Sequence, residues 1–198
     1  MVGIEAAFVM IAFVIVAAAF SFMVVNMGLF STQRGRETIQ DSIQEVSSPL
    51  MTDGSFHVRA TSGTKVDAVI IPLKTIGVRD VSIAQASTVI SLRVENHSAF
   101  ANIYNGINTT NPSGQTFDDL VSGVGTSTGA KFFIGNSDGD SSLDYDEKGY
   151  LVIYLASSNQ ASAREHIFIE IRPEKGAPLS IEFIVPSGLT QGWLVIGG

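Results

Sequence analysis

The sequence predicts an α+β protein: a long N-terminal hydrophobic α-helix followed by an antiparallel β-sandwich of the immunoglobulin-like kind. Residues 6–25 form an apolar run in which Ser21 is the single polar side chain. From Phe56 onward, apolar and polar residues alternate instead, which is typical of strands with one buried face. We therefore divide the chain into an assembly helix at residues 1–50 and an outer β-sandwich domain at residues 51–198.

Composition excludes several classes of function. The chain has 198 residues, enough for one compact domain beside a long helix. Its net charge is −7 and no run of Lys or Arg marks a nucleic-acid-binding face. It contains no cysteine, which excludes disulfides, thiolate metal sites and cysteine nucleophiles.

The apolar run is long enough to cross a membrane. A helix of about 20 residues rises about 30 Å, the thickness of the hydrocarbon core of a bilayer. A surface this apolar is not stable in water, so we expect it to be inserted in a membrane or covered by partners.

Charges around this run give conflicting orientations. Arg34 and Arg36 follow it and no Lys or Arg precedes it, so the positive-inside rule would keep the C-terminal domain in the cytoplasm. The N-glycosylation sequons at Asn96 and Asn108 require the opposite orientation if they are used. A basic leader that is removed before Met1 would reconcile the two.

The helix is expected to continue past the apolar run. Gly28 should weaken the helix and bend or locally unwind it, and an apolar stripe at Ile39, Ile43, Val46 and Leu50 then makes it amphipathic. Pro49 should end it, since the residue before a proline is driven out of the α region. The result is about 45 residues and about 65 Å, far longer than one membrane crossing.

The rest of the chain reads as short strands separated by Gly, Asn, Ser and Pro, without helical periodicity. The end of the chain, Trp193 to Ile196, is either a last strand or a segment packed on the sheet. The connection 105–129 is expected to be a solvent-facing loop. The predicted strands cover residues 56–61, 66–76, 90–94, 130–134, 150–155, 167–171 and 181–185.

No catalytic constellation stands out. Residues 125–129 match the G-x-S-x-G nucleophile motif, but that motif needs a strand before it and a helix after it, and here a strand follows. His57, His97 and His166 are scattered, without metal-binding spacing. We expect no enzymatic activity and no required cofactor.

One acidic segment, residues 136–147, could bind a cation. Alternating oxygen ligands with a glycine between them are what Ca²⁺ requires of a loop, and the candidate ligands are Asp138, Asp140, Asp144 and Asp146. The spacing departs from that of an EF-hand, and the alternative is a solvated acidic turn between two strands.

The N-terminal residues carry a family resemblance. Val2-Gly3-Ile4, the apolar helix, the segment Asn26-Met27-Gly28-Leu29-Phe30 and the Gln/Arg/Thr-rich segment after it resemble the archaeal flagellins, or archaellins, of the type IV pilin-like group. The resemblance is specific over about the first 50 residues and loose beyond them.

The resemblance implies a function and partners. Archaellins lose a short basic leader to a prepilin-type peptidase and wait in the membrane before assembly. They then polymerise into an extracellular filament that a separate membrane motor rotates. Their helices bundle in the filament core and their β-sandwich domains, often N-glycosylated, lie outside.

Assembly contacts are accordingly expected along the helix. An amphipathic extension has no use in a lone membrane anchor but suits helices packed side by side, and a head-to-tail interface that does not close gives a helical filament. The residues assigned to assembly are Met1, Glu5, Phe8, Phe13, Ala18, Phe20, Phe22 and Gly28.

Glu5 leaves two questions open. A carboxylate beside an apolar run is either solvated at the membrane surface or paired with a cation, such as the amino group of Met1 in a neighbouring copy. An acidic residue at this position is typical of bacterial-type and adhesive pilins, and many archaellins lack it. The alternatives to a motility-filament subunit are therefore an adhesive archaeal type IV pilin and, as a third hypothesis, a monomeric membrane-anchored surface domain.

Overall fold

A computed structural model describes residues 2–46, 48–97 and 99–197. The chain divides into two compact units, Met1–Ile43 and Gln44–Gly198.

The first unit is a single uninterrupted helix, α1, at Val2–Val46. The expected local unwinding at Gly28 is wrong: the helix continues through this residue, and the Thr32 hydroxyl donates a hydrogen bond to the Gly28 carbonyl oxygen at 2.8 Å. One glycine costs a helix only about 1 kcal/mol relative to alanine, too little to interrupt 45 residues. The helix ends at Val46, before Pro49 as predicted, so Leu50 is not part of its apolar stripe and belongs to the first strand instead.

The second unit is a β-sandwich with one short helix. Its strands are β1 Leu50–Thr52, β2 Phe56–Ala60, β3 Lys65–Thr75, β4 Asp80–Ser82, β5 Val89–Val94, β6 Ala99–Phe100, β7 Tyr104–Asn108, β8 Gly129–Gly135, β9 Ser142–Asp144, β10 Lys148–Tyr154, β11 Ala161–Ser162, β12 His166–Arg172, β13 Leu179–Ile184 and β14 Gly192–Ile196. The helix α2 spans Phe117–Ser122.

The strands form two main sheets and a small ribbon. The large sheet has the order β14-β2-β3-β10-β8-β7, with β1 and β11 also paired to β3. The small sheet has the order β13-β12-β5-β6, and β4 pairs with β9. Every predicted strand is present, and the segment Trp193 to Ile196 belongs to strand β14, paired with β2.

The main core lies between the two sheets. In β12, Ile167, Ile169 and Ile171 are buried while Phe168 and Glu170 alternate with them. Ile169 lies opposite Leu92 of β5 and Ile181 of β13, so the inward side chains of adjacent strands pack together. The alternation in the sequence therefore marks the inner face.

Strand β3 is buried on both faces. Its residues from Val66 to Leu73 are all buried, as expected of a central strand covered on both sides. The second cover is α2 and the residues after it: Leu120, Val121 and Val124 pack with the outward-facing residues Ala68, Ile70, Phe133 and Val152.

The connection 105–129 is not the plain loop expected from its composition. It contains most of β7 and all of α2, and β7 pairs with β8 in parallel, so the large sheet is mixed. A local signal for the helix was present: Thr116 and Asp119 form a capping box, in which each side chain accepts a hydrogen bond from the backbone of the other residue.

Four side chains tie α2 to the large sheet, and we call them the α2 clasp: Arg59, Asp67, Asp118 and Trp193. Arg59 donates to both carboxylate oxygens of Asp67, at 3.0 and 2.7 Å, and to Asp118 at 2.9 Å. The Trp193 indole N–H donates to the same Asp118 oxygen at 3.2 Å. The hydrogen bond to Asp67 is the main reason that the pKa of Arg59 is raised, so its charge is fixed.

Candidate assembly interface

Helix α1 exposes large apolar side chains along its first thirty residues. Phe8 is 68% exposed, Phe13 75% and Phe22 71%, and no residue of α1 whose burial is described is buried. The stretch Gly3–Ile43 is long and apolar enough to cross a membrane.

The aromatic side chains are spread around the helix and do not share one face. At 3.6 residues per turn, Phe8 and Phe13 are separated by about 140° around the axis. A helix that is apolar all round becomes stable when it is covered from every side. This surface therefore needs either lipid or several neighbouring helices.

Seven of the eight predicted assembly residues belong to this surface. Glu5, Phe8, Phe13, Ala18, Phe20, Phe22 and Gly28 lie on α1 and are exposed. Met1 lies outside the described residues, so its pairing with Glu5 stays a prediction.

Three hydroxyl groups in the second half of α1 are satisfied within the helix, a feature that sequence reasoning missed. The hydroxyls of Thr32, Thr38 and Ser42 each donate to the carbonyl oxygen four residues earlier, at 2.8, 2.9 and 2.7 Å. These donors need no outside partner, so covering them with a neighbouring helix leaves no hydroxyl donor unsatisfied. The Arg34 guanidinium also lies over the Phe30 ring, 5.3 Å from its centre.

The acidic segment is held by its own hydrogen bonds. Asp138 and Asp140 accept from backbone N–H groups two residues later. Glu147, which is buried, accepts from the N–H groups of Asp138 and Asp144 at 3.0 Å each. Desolvation, followed by the charges of Asp140 and other nearby carboxylates, raises the pKa of Asp144.

A fit to calcium is not found in this segment. Within the described ranges, no group of three or more His, Asp or Glu side chains lies close enough to hold a metal ion. Two of the four proposed ligands, Asp138 and Asp140, instead turn a carboxylate oxygen toward the backbone of their own loop. No such bond is described for the carboxylates of Asp144 and Asp146. The calcium prediction stays untested and receives no support from this geometry.

The G-x-S-x-G segment is not built like a nucleophile elbow. Helix α2 precedes it and strand β8 begins at its last residue, Gly129, the reverse of the required order. Thr128 in this segment accepts from the N–H of Ala156 and from the side chain of Asn159, both at 3.0 Å, so it closes a loop.

Comparison with known proteins decides the family. The family model described as archaeal-type flagellin matches residues 1–183. The chain is also 39% identical to "Probable flagellin 1" of Aeropyrum pernix over 199 residues, covering 98% of this chain and 95% of the relative. The chain belongs to the archaeal-type flagellin family.

Solved archaellin structures share the fold. The archaeal flagellum of Methanospirillum hungatei strain JF1 aligns with a TM-score of 0.58 at 21% identity, covering 97% of this chain and 98% of that one. The crystal structure of flagellin FlaB1 from Methanocaldococcus jannaschii aligns with a TM-score of 0.59 at 17% identity, covering 74% and 94%. These likenesses show a shared fold, over nearly all of this chain for the first structure and about three quarters of it for the second.

As an archaellin, the chain is a structural subunit of the archaellum, the extracellular motility filament of archaea. Membership in this family favours the motility filament over the adhesive pilin left open by Glu5, and it agrees with self-assembly of copies through a shared interface.

The two sequons of this archaellin lie in different surroundings. Asn96 is exposed in the turn after β5, with a φ of 63°. Asn108 ends β7 and is half-buried: its side-chain N–H donates to the Gly123 carbonyl oxygen at 3.2 Å, and its side-chain oxygen accepts from the Thr110 N–H at 3.0 Å. Ser98, which completes the first sequon, lies outside the described residues.

Proposed function

We propose that this archaellin polymerises through α1, with the helices of many copies covering one another in the filament core. The observation that carries the proposal is the all-round apolar exposure of α1. At about 25 cal/mol per Å² of apolar surface, covering such a helix contributes tens of kcal/mol before entropy is subtracted. This is the largest source of binding free energy that the chain offers.

The second half of the helix supports side-by-side packing. A membrane crossing uses about 20 residues, and α1 has 45. The internally bonded hydroxyls of Thr32, Thr38 and Ser42 make the remaining turns suitable for contact with another helix.

The partners that act on the chain are further parts of this proposal. Before assembly the subunit waits in the membrane, held by its apolar run, after a prepilin-type peptidase has removed a basic leader. A separate membrane machinery then assembles and rotates the filament. The subunit itself is expected to perform no catalysis and to require no cofactor, as suits a family of structural filament subunits.

Glu5 completes the proposed interface. Its carboxylate is exposed near the start of α1. In a bundle of helices it would pair with the amino group of Met1 of an adjacent copy, because a carboxylate covered by apolar neighbours is costly without a cation.

Deleting the gene and scoring both filaments and swimming tests the function. We expect the deletion strain to lose a filament seen by electron microscopy and to lose swimming, and the wild-type gene supplied on a plasmid to restore both. Loss of a filament with normal swimming would instead assign the chain to adhesive pili. Filaments unchanged by the deletion would contradict a role as the main subunit.

A further inference from the structure

Strand β14 forms an open edge of the large sheet. Within the part of the chain that the structure describes, it pairs with β2 on one side and with no strand on the other. Its sequence, Gly192-Trp193-Leu194-Val195-Ile196, contains no charge and no proline, and Val195 is 66% exposed. Edge strands of soluble proteins usually carry a charge, a proline or a bulge that prevents pairing with another chain, and β14 has no such charge or proline.

The other long edges of the sandwich carry such features. Strand β13, at the edge of the small sheet, bears Glu182 and lies between Pro178 and Pro186. Strand β7, at the far edge of the large sheet, has an irregular register with β8 and contains Gly106 at a φ of 84°. Among these three edges, β14 alone is unprotected.

The strand is also held firmly from one side. Trp193 donates to Asp118 of the α2 clasp, and its ring lies 5.1 Å from that of Phe117. The clasp thereby fixes β14 against the sheet and leaves its free edge and Val195 facing outward. A rigid apolar edge loses little conformational entropy when another surface covers it.

We propose that β14 is a contact strand between subunits, in which its free edge and Val195 are covered by the outer domain of an adjacent copy. This inference rests on the proposed assembly into a filament, which brings identical outer domains together. Because β14 is uncharged, the surface that covers it should be apolar and uncharged as well.

The contact should join β14 to a different part of the neighbour. Pairing of β14 with β14 would create a two-fold dimer, which closes on itself. A filament grows only through head-to-tail contacts that remain open. The outer domains would thus form a second, weaker interface in addition to the helix bundle.

A single engineered cysteine tests the contact directly, since the natural chain contains none. In Val195→Cys filaments, we expect maleimide labelling at least about tenfold slower than in the same subunits dissociated by detergent, as for a site that reacts only after local opening. The matched control is Ile184→Cys on the protected strand β13, where the side chain is 54% exposed. It should be labelled at similar rates in both states.

Equal labelling of Val195→Cys in filaments and in dissociated subunits would overturn the proposal. Slow labelling in both states would overturn it too, because the chain itself would then cover the strand. Failure of the wild-type chain to form filaments would count against the proposed function instead, and it is seen by electron microscopy before any labelling.

A second variant tests the energetic role. Val195→Lys places a charge in the contact, so its filaments should dissociate at a lower temperature than wild-type filaments, whereas Val195→Ile filaments should match wild type. Circular dichroism of the dissociated subunits shows whether the variants fold alike. Correctly folded Val195→Lys subunits whose filaments resist heat as wild type does would contradict a β14 contact.

Discussion

The two sequon asparagines differ in what their amide groups do. The Asn108 amide bridges the end of β7 and Gly123, directly after α2, and a Cβ added at Gly123 would lie only 2.9 Å from its nitrogen. A sugar on that nitrogen has little room. The Asn96 amide lies 3.5 Å from a Glu165 oxygen, a weak contact at an exposed turn.

We therefore expect an N-glycan on Asn96 and little or none on Asn108. Mass spectrometry of glycopeptides from native filaments measures both sites. Asn96→Gln should remove the added mass and preserve the fold, at a small cost in stability because Gln adopts the left-handed conformation of this turn less readily than Asn. Asn108→Gln should leave the added mass in place and destabilise the domain by about 1 kcal/mol, because the bridge to Gly123 is lost. Full occupancy of Asn108 would show that modification precedes folding of this segment.

His57 gives the outer domain a pH dependence. It lies on β2 with its ring 4.7 Å from the Phe117 ring, and burial lowers its pKa below 6.5. As the pH falls, the unfolded chain binds this proton before the folded chain does. The contribution of neutral His57 to the stability of the fold is therefore complete above the pKa that His57 has in the unfolded chain. It is lost as the pH falls through the lower pKa that His57 has in the folded chain.

Thermal unfolding of dissociated subunits between neutral and mildly acidic pH measures this effect. We expect the wild-type Tm to fall on acidification and that of His57→Gln to fall less, since glutamine does not titrate. His166→Gln is the control: this side chain is exposed beside Glu182 and packs on no aromatic ring in the described structure. Identical pH profiles for wild type and His57→Gln would refute the role of His57.

At the scale of elements, α2 depends on its surroundings. Six residues are too few for a stable isolated helix. The capping box stabilises its first turn, and the α2 clasp and the buried Leu120 and Val121 attach it to the sheet. Lys131 also donates to the Gly123 carbonyl oxygen at 3.1 Å, where a cation favours a helix C-terminus.

Removing the central charge of the clasp should be costly. Arg59→Met leaves Asp67, whose residue is only 5% exposed, without its cation, so we expect a loss of about 3 kcal/mol in the free energy of unfolding. Urea denaturation of dissociated subunits provides the measurement. Arg93→Met, at an exposed position of β5, should change stability by no more than about 0.5 kcal/mol. Similar effects of the two substitutions would contradict a structural role for the clasp.

Elements with regular patterns could be predicted from the sequence, and elements made by distant contacts could not. The alternation at Ile167, Ile169 and Ile171 marks β12 because packing decides which face is buried. Gly28 misled because the rest of the helix outweighs the propensity of one residue. The clasp joins Asp118 to Arg59 and to Trp193, which are separated from it by 59 and 75 positions in the sequence. No local pattern signals contacts between residues so far apart.

The candidate site was predicted as a surface, without its finer features. Apolarity alone identified α1, because a run of about twenty apolar residues is typical of a helix that crosses a membrane or is covered by partners. The internal bonds of Thr32, Thr38 and Ser42 follow from helix geometry and could have been anticipated. The calcium prediction for the acidic segment stays untested, because the spacing of carboxylates along the sequence does not say whether they face a common centre.

For the whole molecule, assembly should depend on an uncharged helix surface. Ala18→Asp puts a carboxylate in the middle of α1, where neighbouring helices would cover it without a cation, at a cost of several kcal/mol per subunit. We expect membrane-associated subunits but no filaments by electron microscopy. Gln40→Asp, in the polar half of the helix, should still assemble. Normal filaments from Ala18→Asp would contradict the bundled-helix model.

The order of the chain also sets the order in which its parts can form. Helix α1 needs only the first residues to be synthesised and forms from local contacts, which are fast. The large sheet and the clasp must wait for Trp193, near the end of translation, because β14 supplies both the last neighbour of β2 and the indole bond to Asp118. A truncated chain thus has a complete helix and an outer domain that cannot close. Such chains would present a bare β2 and a loosely held α2, so their outer domain would lack the two contacts that complete it.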